Sequence, residues 1–205
     1  MDLALFDFDN TITDRDSLSA FIKAHLPRRR LRWGGLLLVP LALGYYRLKI
    51  VPAHVLRAAV MRIGLTGLAR QPLVEAGRRY ARDTLPGFVR PHALERIRWH
   101  QARGDTVVVV SASIDLYLRP WCRQQGVALI CSQLGHRRGR FTGRYRGRDC
   151  CGEHKARQIL KRYRLRDYAA VHAYGDSAED HAMLALAEHR SYRWQPVRDD
   201  VPREG

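Results

Sequence analysis

The chain has 205 residues, 46% hydrophobic and 27% charged. This composition excludes a disordered chain, a collagen-like repeat and a disulfide scaffold, and it suits one domain of ordinary size with a modest insertion. Thirty-six Lys and Arg against 20 Asp and Glu give a net charge of +16, which attracts anions such as phosphates, nucleic acid or anionic lipid without dictating a fold.

In chain order, residues 3–8 form the first short apolar run and read as a buried strand. Some 90 residues separate it from the next such run. That gap is rich in Leu, Ala and Arg, with helix breaks expected near Pro27, Pro40, Pro52, 64–67 and Pro72. It is too long for one crossover helix, so residues 15–84 read as an inserted helical cap. Within it, residues 33–46 are almost unbroken apolar sequence, 14 residues long. A membrane-spanning helix needs about 20, so a buried or interfacial helix is expected. A helix over 91–102 returns the chain to a second strand at 106–110. Further strands follow at 127–131 and 170–174, separated by helices at 116–125 and 155–163. Strands alternating with helices predict an α/β fold of the Rossmann type, a parallel sheet covered on both faces. Its core is made of residues 1–14 and 85–205.

Polar motifs follow three of these strands. The first ends in DFDNT (Asp7, Phe8, Asp9, Asn10, Thr11), the second in SAS (Ser111, Ala112, Ser113) and the fourth in GDSAED (Gly175 to Asp180), while Lys155 opens the helix before the fourth. Ligands of open α/β sheets bind beyond the carboxyl ends of the strands, so these groups are expected to gather at one edge. Asp7, Asp9 and Asp176 together offer hard oxygen ligands whose mutual repulsion calls for a cation, and Mg²⁺ suits few carboxylates plus water and a substrate phosphate. Ser111, read as preceding a helix start, and Lys155 are expected to hold a phosphate. Each piece alone has a plain structural reading: a solvated loop, a helix cap, a surface lysine. Their order at successive strand ends is the specific signal.

That order resembles the haloacid dehalogenase-like (HAD) superfamily over nearly the whole chain. DFDNT is similar to its D-x-D-x-T motif, SAS to its second, Lys155 to its third and GDSAED to its fourth. The long insert sits where the superfamily carries a C1 cap. WHQARGDTVVVVSAS and GRFTGRYRGRDCCGEHK resemble the phosphoserine-phosphatase-like branch, and the basic apolar insert within it resembles phosphatidylglycerophosphatase C. The resemblance implies a phosphomonoester hydrolase in which Asp7 attacks phosphorus to form an aspartyl-phosphate and Asp9 serves as general acid and base. It further implies Mg²⁺ held by Asp7, the backbone carbonyl of Asp9 and Asp176. Asn10 (through its N–H), Ser111, Ala112 and Lys155 would bind the phosphate, with Thr11 and Asp180 in support. Phosphoserine phosphatases carry a Glu shortly after the first motif, where this chain has Thr13, Asp14 and Asp16, which turns the expectation away from phosphoserine.

Residues 17–74 carry ten Lys or Arg and no acid, and residues 135–148 carry six arginines and no acid. Three readings compete for the basic insert: a solvated face, a surface for anionic membrane, and a nucleic-acid track in which Phe141 and Tyr145 interleave the arginines. RRRLR directly before the apolar stretch favours the membrane. The expected substrate is therefore a lipid phosphate such as phosphatidylglycerol phosphate, with peripheral contact to anionic membrane and no nucleic-acid partner. The alternatives are a soluble metabolite phosphatase (phosphoserine-like or histidinol-phosphate-like) and a non-enzymatic basic anion-binding module. Cys122, Cys131, Cys150 and Cys151 contain no C-x-x-C, and a vicinal pair makes poor disulfide geometry. With no signal peptide pattern at Met1, the expected location is cytoplasmic, peripheral on the inner face of the membrane.

Overall fold

β1 (Leu3–Phe6) has all four residues fully buried, as a strand at the centre of a two-sided layer requires. The structure, a computed structural model, describes residues 1–197. The expected core extends to residue 205, so its last eight positions lie outside the described residues. The sheet has six strands in the order β3-β2-β1-β6-β7-β8. β2 (Thr106–Ile114) and β6 (Val171–Gly175) flank β1 in parallel, with Phe6 level with Val109 on one side and Tyr174 on the other. β3 (Ala128–Ser132) extends the sheet beyond β2. β7 (His189–Tyr192) runs parallel to β6, and the short β8 (Gln195–Pro196) closes the edge antiparallel to it.

Successive strand side chains point to opposite faces, and the core divides accordingly. Ala4, Phe6, Val107 and Val109 pack on one side with Tyr117, Leu118 and Trp121 of α6 (Asp115–Gln125) and Ile97 of α5 (Pro91–Ala102). Leu3, Leu5, Val108 and Val110 pack on the other with Ile159 of α7 (Gly152–Arg162) and Met183 and Leu184 of α8 (His181–Leu184).

Between β1 and α5 the chain forms four helices: α1 (Ser17–His25), α2 (Arg28–Tyr46), α3 (Ala53–Leu65) and α4 (Arg70–Asp83). Two expected breaks are absent. Pro72 stands in the first turn of α4, where its missing N–H has no helical partner in any case. Pro40 lies inside α2, which continues through it at the cost of one ladder hydrogen bond. Pro27 and Pro52 do mark boundaries, each standing immediately before a helix. A hairpin, β4 (Leu134–Arg137) and β5 (Arg140–Tyr145), lies against this insert: the Gly67 and Arg70 amides donate to the Phe141 and Gly139 carbonyls at 2.8 Å each.

Within the six-stranded sheet, the sequence reading of four strands missed β7 and β8 and stopped β2 four residues early. β7 reads His-Arg-Ser-Tyr and lacks an apolar run, and β2 continues through the polar Ser111 and Ser113.

Candidate active site

The carboxyl ends of β2, β1 and β6 lie side by side; from β1 the chain proceeds to β2 and β3 on one side, and from β6 to β7 and β8 on the other. This is the geometry at which open α/β sheets open a crevice. The Asp7 amide donates to the Tyr174 carbonyl at 2.9 Å, so the ladder carries the chain up to Asp7 before it turns. The turn, residues 8–12, has Asp9 extended (φ −73°, ψ 129°) and Asn10 left-handed (φ 62°), a conformation Asn tolerates better than most residues. The reversal sends Asp7 and Asp9, two residues apart, to different partners.

Asp7 faces Lys155. The Lys155 Nζ donates to Asp7 Oδ1 at 2.6 Å and to Asp180 Oδ1 at 2.5 Å, and its side chain is buried. Burial opposes the lysine's charge, but the two facing carboxylates outweigh it and hold Lys155 above the ordinary lysine range. Burial raises Asp7 well above the usual carboxylate range; Lys155 counters this, while the charges of Asp180 and Asp9 add to it. Asp180 is opposed by burial too, yet Lys155 and the amides of Ser177 and Asp176 bring it below its ordinary value. Its second oxygen accepts from those amides at 3.1 Å each and from Ser177 Oγ at 3.0 Å. Gly175 makes this possible: a Cβ there would stand 2.6 Å from Asp180 Cβ.

Asp9 turns toward the insert. Its Oδ1 accepts from the Ser17 amide at 2.7 Å and Ser17 Oγ at 2.5 Å, and its Oδ2 accepts from Ser113 Oγ. Burial, with the charge of Asp16, raises it to about 6 against these hydrogen bonds, so it holds a proton for part of the time near neutral pH, as a general acid must. Asp16 itself caps α1, accepting from the Leu18 and Ser19 amides.

Ser111 lies within β2 rather than at a helix start, as α6 begins only at Asp115. The register shifts between Ser111 and Ile114, and this irregularity brings the Ser113 amide onto Ser111 Oγ at 3.0 Å. Lys155 stands in the first turn of α7, which opens at Gly152. The Asn10 amide donates to Thr13 Oγ1 at 3.3 Å, and Thr11 Oγ1 donates to Asp176 Oδ1 at 3.3 Å. Thr11 is in turn fixed by the Trp194 indole N–H, which donates to its carbonyl.

Asp7, Asp9, Asn10, Ser111, Ala112, Lys155, Asp176 and Asp180 line a single cavity of about 970 Å³; Thr11 stands behind it. Carboxylate oxygens of Asp7, Asp176 and Asp180 lie within 4.8 Å of one another. Three acids against one lysine leave net negative charge at short range, and hard oxygen donors fit Mg²⁺. This cluster contains Asp180 where the sequence placed Asp9. The Asp9 carboxylate is engaged with Ser17 and Ser113, which leaves its backbone carbonyl as the expected ligand.

Sequence reasoning missed three participants. Ser17 and Ser113 position Asp9, and Ser113 was visible in the SAS motif without a role. Arg57 of α3 donates to Asp149 Oδ2 and Glu179 Oε1 at 2.8 Å each, tying the insert to two loops at the cavity rim; burial opposes its charge, but the two acids hold it above its ordinary range. No spacing in the sequence announces a triad spread over 122 residues. The basic hairpin offers no stacking platform, since Phe141 is buried in the core and Tyr145 packs against it.

Protein CicA of Caulobacter vibrioides is 33% identical over 199 residues, spanning 93% of this chain and 85% of its own. A probable phosphatase of Mycobacterium tuberculosis is 30% identical over 195 residues, spanning 92% of this chain and 67% of its own. A substrate-bound phosphoserine phosphatase complex superposes with a TM-score of 0.65 over 93% of this chain and 84% of that one; at 19% identity it shows the fold alone. The family model of the haloacid dehalogenase-like hydrolases matches residues 4–185, a span running from β1 through the Asp176–Asp180 loop, and the chain is a member of that family of hydrolases.

Proposed function

We propose that the protein is a Mg²⁺-dependent phosphomonoester hydrolase that works through an aspartyl-phosphate on Asp7 and takes a lipid phosphate, such as phosphatidylglycerol phosphate, as its substrate. Residues 15–84 serve as a cap over the core formed by 1–14 and 85–205. A Mg²⁺ ion, held by Asp7, Asp176 and the Asp9 carbonyl, would neutralise phosphoryl charge and keep Asp7 ionised. Asp7 attacks phosphorus, supported by Lys155 against the phosphoryl oxygens together with Ser111 and the amides of Asn10 and Ala112. Asp9, protonated at its carboxyl, gives its proton to the leaving oxygen, then takes one from the water that hydrolyses the aspartyl-phosphate. Ser17 and Ser113 hold that carboxyl in place, and Asp180 keeps Lys155 and the Asp176 loop in position.

The observation that carries the substrate reading is the cavity itself. Its floor is the polar cluster, and much of its remaining wall is apolar, from Ile22, Leu26, Leu31, Leu38, Leu56 and Val60 of the inserted helices, with Lys23, Arg30, His54 and Arg57 set among them. A small ionic metabolite would leave the apolar part of that wall uncovered, whereas an acyl chain would bury apolar surface against it. Asp16, one of the two acids that follow the first motif closely, is committed to capping α1, which weighs against its meeting the amine of phosphoserine. The protein would work in the cytoplasm, a placement consistent with four free cysteines.

The test is a phosphate-release screen of phosphatidylglycerol phosphate and phosphatidic acid in detergent against phosphoserine and histidinol phosphate, each with Mg²⁺ or with a chelator. Mg²⁺-dependent release with the highest kcat/KM on a lipid phosphate is expected. Preference for a soluble phosphate would overturn the substrate reading, and release undiminished by chelator would overturn the reaction.

A further inference from the structure

α2 is apolar on two sides. One side packs inward: Gly34 and Gly44 are buried, the former close against Ile63 of α3, and Leu31, Leu38 and Ala42 line the cavity. The other side is open, with Trp33 66% exposed, Leu36 67%, Leu37 72% and Leu43 52%. The apolar surface continues past the helix through Leu48 and Ile50, both exposed. Scattered exposed apolar residues are ordinary, but a contiguous face of this kind marks an interaction surface.

The charges around that face say what covers it. Arg28, Arg29 and Arg32 open the helix and Arg47 and Lys49 follow it, all exposed, and none makes an ion pair among the described residues. Cations at a helix N-terminus are opposed by its dipole, so the arginines do not serve the helix. A second copy would bring these cations against its own, with no Asp or Glu between residues 17 and 74 to meet them. A bilayer with anionic headgroups answers both features: acyl chains for the apolar face and phosphates for its basic ends, with Trp33 and Tyr46 at the depth that amphipathic rings favour. No helix among the described residues is long and apolar enough to cross a membrane, so α2 would lie in the interface plane.

We propose that the outer face of α2, with its flanking cations, docks the enzyme onto an anionic membrane surface. This deepens the lipid-phosphate reading, on which it rests for its purpose: the helix that meets the bilayer also walls the cavity, so a lipid drawn past α2 enters toward Asp7.

The test is sedimentation with phosphatidylglycerol/phosphatidylcholine vesicles and with pure phosphatidylcholine vesicles, in chelator so that no turnover occurs. Binding should favour the anionic vesicles and weaken with salt without vanishing, since only its electrostatic share is screened. Arg28→Gln with Arg29→Gln and Arg32→Gln should weaken anionic-vesicle binding roughly a hundredfold at low salt. Arg30 is left in place because it donates to the Gly64 and Thr66 carbonyls. Leu36→Ser with Leu37→Ser should weaken binding to vesicles at high salt. Both variants should hydrolyse p-nitrophenyl phosphate in Mg²⁺ at the parent rate, which also shows that they fold. Negligible sedimentation of the parent with both vesicles, or parent-like binding by the serine variant, would overturn the proposal. So would dimerisation lost in that variant. Vesicle binding without hydrolysis of any lipid phosphate would sustain the docking surface and overturn the substrate reading, whereas hydrolysis in detergent without vesicle binding would do the reverse.

Discussion

Lys155 has a structural task as well as a chemical one, because it is the buried cation against which Asp7 and Asp180 are both held. Lys155→Met would leave both carboxylates facing one another in a buried site, and breaking a buried pair in this way costs about 3–5 kcal/mol. A urea denaturation midpoint unchanged in that variant would contradict the arrangement. A second buried network lies away from the active site, where Asp105 accepts from the Asp2 amide at 2.8 Å, from His100 Nδ1 at 2.9 Å and from Arg103 Nε at 3.1 Å. Burial opposes its ionisation, but these hydrogen bonds lower it from 3.8 to about 2. An acid depressed on folding stabilises the native state fully above its unfolded value, and the stabilisation is lost as pH falls through the folded one. The window is therefore from about pH 4 down to about pH 2, and the contribution about 2 kcal/mol. Denaturation midpoints of the parent and Asp105→Asn should differ at pH 6 and converge toward pH 2; parallel curves would contradict this.

At the scale of elements, the triad of Arg57, Asp149 and Glu179 fastens α3 to the loops preceding α7 and following β6. Arg57→Met strands the Asp149 side chain, 9% exposed and still held by Ser132, at a cost of about 1–3 kcal/mol. Limited proteolysis should then cut residues 47–52, between α2 and α3, faster than in the parent, and an unchanged cleavage rate would show that the triad does not hold the insert. The sequence revealed the parallel core because β1, β2 and β6 are largely buried on both faces and, like the partly buried edge strand β3, read as continuous apolar runs. It overextended the first run to residue 8 because Phe8 is buried although it belongs to the turn that follows β1. β7 stayed invisible because a strand of intermediate and exposed residues, covered on its far side only by the two-residue β8, needs no apolar pattern. Asp7, Lys155 and Asp176 were legible from their order at strand ends. Asp180 was legible only as a supporting residue of the fourth motif; its place in the acidic cluster, like the serines that orient Asp9, depends on turn geometry and on side chains meeting across the fold, which no local pattern encodes.

Over the whole molecule, two charge distributions serve two tasks. The surface carries the excess of cations, while the cavity floor gathers acids around one lysine. A divalent cation should therefore bind the native fold and not the unfolded chain, raising the thermal midpoint as its concentration rises. Ca²⁺, with its larger and looser shell, should support little turnover. No change in thermal midpoint between Mg²⁺ and chelator would place the metal site in doubt. The proposed chemistry requires that the phosphoryl group pass through Asp7. Acid-quenching the enzyme during turnover of a phosphomonoester and mapping the modified peptide by mass spectrometry tests it directly. The expected result is a single phosphoryl group on Asp7, absent from a folded Asp7→Asn protein whose turnover is lower by about three orders of magnitude or more. Turnover with no phosphorylated aspartate, or with the phosphoryl group on another residue, would contradict it.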